Sequence, residues 1–162
     1  MSTVVRTATQ DDAVRVMALI REMADGNGNL DKVRASDDDL CRALDPDGGI
    51  ANAHVVESDG VIVGYALWYL TYSPWAGRQC MWLSDFYVQP EHRSSGHGRS
   101  LMAALAALCI SRGYERIDWQ VLDTNERGLA FYERLGAEWH EGRRLYQLHG
   151  EALEKTARLQ RE

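Results

Sequence analysis

Arg93-Ser94-Ser95-Gly96-His97-Gly98, running on into Arg99 and Ser100, has the composition of an anion-binding turn. With little bulk at its glycines, the turn lets backbone N–H groups come close to a ligand. A helix is predicted behind it, from about Arg99 to Arg112, and a helix N-terminus adds a partial positive charge. A phosphate or pyrophosphate suits such a site, although a plain tight turn uses the same glycines. Spacing excludes two other phosphate binders. A Walker loop ends in Gly-Lys-Ser/Thr, whereas this turn reads Gly98-Arg99-Ser100. A dinucleotide fold needs a third glycine where Leu101 stands.

The second chemical group is Asp85, set in the apolar stretch Cys80 to Val88. A carboxylate buried there keeps its proton to higher pH, which suits a base; a structural hydrogen-bond acceptor is the other reading. Ser84 precedes it and, without a partner, is no base. Strand alternation places the two on opposite faces. The five histidines, 54, 92, 97, 140 and 149, are scattered and show no metal-ligand spacing. His92 and His97 lie in or beside the glycine turn, where they either meet phosphate or face solvent. No metal is expected.

The elements that must carry these groups follow from hydrophobic period. Val4-Val5 reads as a first strand, and Thr9 or Asp11 as a cap for the helix carrying Ala13, Val16, Met17, Ile20, Met23 and Ala24. Gly26 to Asn29 ends it. Ser36 begins a second helix that ends near Leu44, with Asp37, Asp38 and Asp39 in its first turn. His54–Glu57 and Val61–Tyr72 form a hairpin across Ser58-Asp59-Gly60. Cys80–Val88 is the next strand. The glycine turn and the helix to Arg112 follow, with Leu101, Leu105, Leu108 and Cys109 as the buried stripe and Met102 alongside. Arg116–Leu122 is a strand, Asn125 caps a helix over Glu126–Leu135, Leu145–Leu148 is a final strand, and Gly150–Gln160 is a C-terminal helix. The fold class is α/β, a mixed sheet with helices against it.

The 162 residues suit one domain, and an apolar fraction of 45% fills a core. A net charge of −6 argues against nucleic acid or anionic lipid as the main partner. Three widely spaced cysteines argue against a disulfide framework and suit a reducing compartment. Met1 to Gln10 carries no apolar signal stretch, and the longest apolar run, Val61 to Leu70, is too short to span a membrane. A cytoplasmic location is expected.

Two motifs in order make the chain resemble the GNAT superfamily of acyl-CoA N-acyltransferases. The first is Arg93-x-x-Gly96-x-Gly98, following Val88-Gln89-Pro90; the second is Asn125 with Phe131-Tyr132 and Leu135-Gly136. The resemblance extends to the diamine (spermidine/spermine) acetyltransferase branch through Tyr72 to Arg78, Asp85-Phe86-Tyr87-Val88, Val121-Leu122-Asp123 and Gly150 to Leu153. It runs from about Val5 to Ala157 and is weakest between Gly26 and Ala53.

The resemblance implies a mostly antiparallel sheet whose parallel strands, ending near Val88 and Val121, splay to admit acetyl-CoA. It implies that Phe86, Tyr87 and Val88 pair with the pantetheine arm, that Arg93 to Ser100 hold the pyrophosphate, and that Asn125 meets the pantetheine end. Tyr132 is implied as the acid for the thiolate, a role that a neutral phenol with pKa near 10 can fill. It further implies a homodimer, for which Trp68, Tyr72 and Trp75 offer an aromatic surface.

Two departures fall on the acceptor side. The branch carries a Glu where Ser84 stands, and a Tyr-Glu pair where Gly26-Asn27 stand, with Asp25 and Asp31 near. Asp85, Ser84, Trp75 and Asp25 are therefore the acceptor-side candidates. The expected activity is acetyl transfer to a small cationic amine, a polyamine or a lysine- or thialysine-like amino acid. The alternatives are a peptide N-terminus, an amine antibiotic, or a CoA-binding protein without catalysis.

Overall fold

The computed structural model describes residues 2–142 and 144–159. Five strands form one sheet in the order β1-β2-β3-β4-β5. They are β1 (Thr3–Thr7), β2 (Asn52–Ser58), β3 (Val61–Ser73), β4 (Arg78–Val88) and β5 (Ile117–Trp119). The first three pairings are antiparallel and β4 with β5 is parallel. The helices are α1 (Ala13–Gly26), α2 (Asp37–Ala43), α3 (His97–Arg112), α4 (Glu126–Arg134) and α5 (Gly150–Arg158). The expected last helical residue, Gln160, lies outside the described residues.

Local chemistry explains these boundaries. Asp59 and Gly60 both take positive φ, at 51° and 82°, the pair of values a two-residue hairpin between right-twisted strands requires. Ser36 and Asp39 form a reciprocal capping box at the start of α2. Gly113, at φ 68°, closes α3 in the left-handed conformation. Arg6 ties β1 to the start of α1 and to β2. Its guanidinium donates to Asp12 at 2.7 and 2.9 Å and to Glu57 at 2.7 Å. The Arg6 hydrogen bond is the main reason the Asp12 carboxyl is held down at about 2.

Alternation assigns the two faces of the sheet. Val55, Tyr65 and Tyr87 lie across from one another and join Val16, Met17 and Leu19 of α1 and Leu40 of α2 in one core cluster. Leu19 belongs to this core although it was not in the expected stripe. His54, Ala66 and Phe86 lie in register on the opposite face. The buried residues of α3 are Leu101, Met102, Leu105 and Cys109, and α3 packs against β1 to β4. On this second face the Trp68 indole donates to His54 Nδ1 at 3.2 Å, and burial lowers the His54 pKa.

Several sequence expectations are corrected. Trp68 is buried at 5% exposure, so it cannot belong to a dimer surface; its NH is satisfied inside by His54. The strand expected over Arg116–Leu122 is shorter, since β5 pairs with β4 only through Trp119. No strand forms at 145–148 among the described residues. Leu145, Tyr146 and Leu148 are all exposed there, and an apolar run forms a strand only when a neighbour supplies the ladder. By packing, the chain divides into two units, residues 1–120 and 121–162. The first holds the whole sheet and α1 to α3; the second holds α4 and α5. The three cysteines are free thiols, Cys80 and Cys109 being buried. Among the described residues no helix is long and apolar enough to cross a membrane.

Gly64 marks the tightest approach in the sheet. A Cβ built there would sit 2.7 Å from the Tyr87 carbonyl oxygen and 2.9 Å from a Val88 methyl. The Tyr87 carbonyl is held by the β3–β4 ladder, so a rotamer change of Val88 relieves only part of the overpacking. Gly64→Ala is expected to lower the unfolding free energy by about 2 kcal/mol in urea titration. An unchanged midpoint would mean that the end of β4 moves freely.

Candidate active site

The site is organised around one inserted residue. Across β3 and β4, Trp68 faces Leu83 and Leu67 faces Asp85, which leaves Ser84 as the extra residue of a β-bulge. Strict alternation between Ser84 and Asp85 therefore stops at this step. Because Leu67 and Trp68 point to opposite faces of β3, their partners Leu83 and Asp85 do so as well, although two residues apart. The pairing of β4 with β5 ends at Leu83, while β4 continues to Val88. From Ser84 to Val88, β4 carries no β5 pairing among the described residues, so its outward backbone groups lie on a parting edge where an extended ligand can bond.

Past the bulge, Asp85 shares the face of Tyr65 and Tyr87. Asp85 is half-buried, and loss of solvent raises its pKa to about 6. The Tyr65 phenol is buried and pushed well above its usual range, first by burial and then by the Asp85 charge. Its hydroxyl donates to the Met23 thioether of α1 at 3.9 Å. Ser84 itself is exposed. This end of β4 thus offers a carboxyl that burial raises to about 6, bordered by phenol groups.

The glycine turn follows directly. Ser94 and Gly96 take positive φ, 67° and 88°, and α3 begins at His97, so the N–H groups of its first turn have no partners within the helix. Arg93 donates from Nε to the Val88 carbonyl at 2.8 Å, and its guanidinium lies 5.3 Å from the Tyr87 ring centroid. His97 is 4% exposed, and among the described residues its buried Nδ1 has no hydrogen-bond partner. An orphaned polar atom beside a helix N-terminus fits a site completed by an anionic group.

In the second unit, Asn125 caps α4 by accepting from the Gly128 N–H at 3.0 Å. Tyr132 is half-buried, and burial raises its pKa. Its ring meets Phe131 edge-on at 5.2 Å. A phenol whose pKa is raised stays protonated at neutral pH and remains a proton donor.

The model of the Acetyltransferase (GNAT) family matches residues 15–137, which include the bulge, the glycine turn and Tyr132. The chain belongs to the GNAT acetyltransferase family. A thialysine N-epsilon-acetyltransferase of Bos taurus is 32% identical over 168 residues, covering 94% of this chain and 96% of that one. A spermidine/spermine N(1)-acetyltransferase-like protein of Homo sapiens is 26% identical, covering 92% of this chain and 23% of that one. These relatives support the diamine-acetyltransferase-like branch. An integron cassette protein from the mobile metagenome of V. cholerae shares the fold, with a TM-score of 0.80 at 22% identity over 97% of this chain and 98% of that one.

As a GNAT enzyme, the protein is an N-acetyltransferase, and this family takes acetyl groups from acetyl-CoA. Of the residues singled out in the sequence, the structure brings Ser84 to Val88 and Arg93 to Ser100 into one continuous strand-turn-helix segment. Asp25 is exposed one helical turn beyond Glu22, whose carboxylate meets Tyr87. Trp75 is not brought to this end. It lies in the β3–β4 turn at 99% exposure, before Arg78. Asp85 is seven residues further along β4 from Arg78, about 23 Å away at ~3.3 Å per residue. Sequence reasoning missed Glu22, Gln89 and Arg15, which bond to one another and to the end of β4. They lie on the polar side of a helix stripe and past a strand end, where periodicity carries no signal. The bulge had a sequence trace: Leu83-Ser84-Asp85 sets two polar residues side by side in an apolar strand.

Because the folded pKa of Asp85 lies above its ordinary value of 3.8, the stability this group contributes is complete below about pH 4 and is lost as pH rises through about 6. Asp85→Asn is therefore expected to gain stability relative to the parent between pH 4.5 and 7.5 in urea unfolding. A difference independent of pH would rule out the raised pKa.

Proposed function

We propose that this enzyme transfers acetyl from acetyl-CoA to the amine of a small cationic molecule, a polyamine or a lysine- or thialysine-like amino acid, by direct attack. The observation that carries the reading is Asp85, a half-buried carboxyl with a pKa near 6 just beyond the β4 bulge, where the strand edge parts from β5. It is mostly ionised at neutral pH, attracts a cationic amine and takes its proton. The names of the thialysine and spermidine/spermine relatives support the same class of acceptor. Ser84 and Asp25 are offered as further acceptor-side contacts.

On this reading the backbone of Phe86, Tyr87 and Val88 pairs with the pantetheine arm, and an N–H near Val88 polarises the thioester carbonyl. Arg93, Ser94, Ser95, Gly96, His97, Gly98, Arg99 and Ser100 hold the pyrophosphate. Asn125 meets the pantetheine end. The ammonium gives one proton to Asp85, and the free amine attacks the carbonyl carbon. As the new C–N bond forms, the C–S bond breaks and Tyr132 protonates the departing thiolate. The phenolate regains its proton, through solvent, from the nitrogen that becomes the amide. One GNAT domain spanning 1–162 performs this; the family match over 15–137 crosses the boundary between the two packing units. We further propose a cytoplasmic homodimer with exposed Tyr72 and Trp75 in its contact surface, and no nucleic-acid or membrane partner, in keeping with the acidic charge.

Thiol release from acetyl-CoA should appear with diamines, polyamines or thialysine and be absent with short peptides and aminoglycosides. Turnover confined to the latter two would replace the proposed acceptor. Tyr132→Phe is expected to lower kcat by roughly 100-fold with CoA binding retained. The amine kcat/KM should rise with pH through about 6, and Asp85→Asn should abolish that limb. A limb that survives in Asp85→Asn would assign the base elsewhere.

A further inference from the structure

A chain of side chains joins α1 to the glycine turn. The Glu22 carboxylate accepts from the Tyr87 hydroxyl at 2.8 Å on one oxygen and from Gln89 Nε2 at 2.8 Å on the other. Gln89 in turn accepts from Arg15 Nη2 at 2.9 Å, and Arg15 also donates twice to the Ile62 carbonyl, at 2.9 and 2.7 Å. The Tyr87 ring carries the Arg93 guanidinium on its face at 5.3 Å, and Arg93 closes the turn by donating to the Val88 carbonyl. Glu22 is thus a half-buried anion between two cations, Arg15 and Arg93, each reached through one neutral residue. Both carboxylate oxygens are used, so the orientation of Tyr87 and Gln89 is set from α1 rather than by the strand alone.

We infer that Glu22 is a positioning residue for acetyl-CoA: through Tyr87 and Gln89 it holds Arg93 and the turn after β4 in the geometry that receives the pyrophosphate. Glu22 reaches the donor only through Tyr87 and Arg93. The inference rests on the reading of residues 93–100 as the CoA site. Replacing the carboxylate by an amide sets an NH₂ against one of the two donors, Tyr87 or Gln89. The freed partner turns away, and the ring beneath Arg93 loses its anchor. The end of β4 then samples several arrangements, of which only one presents the turn to an anion.

The experiment is calorimetric titration with CoA of the parent, Glu22→Gln, Arg93→Ala and the double variant, with KM for each substrate measured alongside. Glu22→Gln is expected to raise the CoA Kd about five- to tenfold, since it removes a hydrogen bond to a charged group. The KM for acetyl-CoA should rise with it, while kcat at saturating acetyl-CoA and the amine KM stay unchanged. In the Arg93→Ala background the same substitution should add no further loss, because its effect travels through Arg93. Tyr87→Phe keeps the ring under Arg93 and deletes only the hydroxyl. It should reproduce the Kd rise, and it serves if Glu22→Gln does not fold. An unchanged Kd in folded Glu22→Gln and Tyr87→Phe, or losses that add in the double variant, would overturn the inference while leaving the CoA reading intact. A parent protein that does not bind CoA would overturn both.

Discussion

The insertion of Ser84 into β4 determines where the sheet stops being continuous. Up to Leu83, β4 is bonded on both sides, antiparallel to β3 and parallel to β5. A bulge bends a strand and increases its twist, and past this one the parallel pairing does not resume among the described residues. The β4 end of the candidate site is shaped by that interruption. The backbone of Ser84 to Val88 becomes an edge, Asp85 moves to the face of Tyr65 and Tyr87, and the strand ends at a turn that starts α3. A regular strand would have put Asp85 on the same face as Leu83.

The candidate site combines main-chain groups with individually placed side chains. The strand-turn-helix segment presents main-chain groups: the β4 edge, the positive-φ residues Ser94 and Gly96, and the first turn of α3. Glycine and helix-start geometry specify such groups, and many side chains are compatible with them. The α1 side of the β4 end instead presents individual side chains such as Asp85, with α1 held against β4. The Glu22 bonds to Tyr87 and Gln89 are part of that hold, alongside the core contacts of Met17 and Leu19. Burial tunes the groups concerned in one direction. Asp85, Tyr65 and Tyr132 all move toward their neutral forms because the surroundings solvate charge poorly.

Elements with a strong local signal appear where the sequence places them. The α1 stripe, the Asp59-Gly60 hairpin, the Ser36 and Asn125 caps and the Gly113 stop each carry their own chemistry within a few residues. Elements whose existence depends on a distant partner do not. Leu145–Leu148 has a strand composition but no ladder among the described residues, and β5 is cut to the length over which β4 offers a partner. Trp68 reads as a surface aromatic until His54, fourteen residues earlier, is seen to accept its NH inside the second face.

The sequence by itself determined the fold class, the family and the location of the glycine turn before α3. Those are written in short-range patterns: hydrophobic period, glycine at positions of positive φ, and two motifs of fixed spacing. Only the tertiary structure decided that Ser84 is an inserted residue rather than a ladder position and that Asp85 is desolvated. It also decided that Glu22, Gln89 and Arg15 converge on the end of β4. Register, burial and side-chain convergence arise from contacts between segments as far apart in the chain as Glu22 and Gln89, and no local pattern of residues encodes a distance between them.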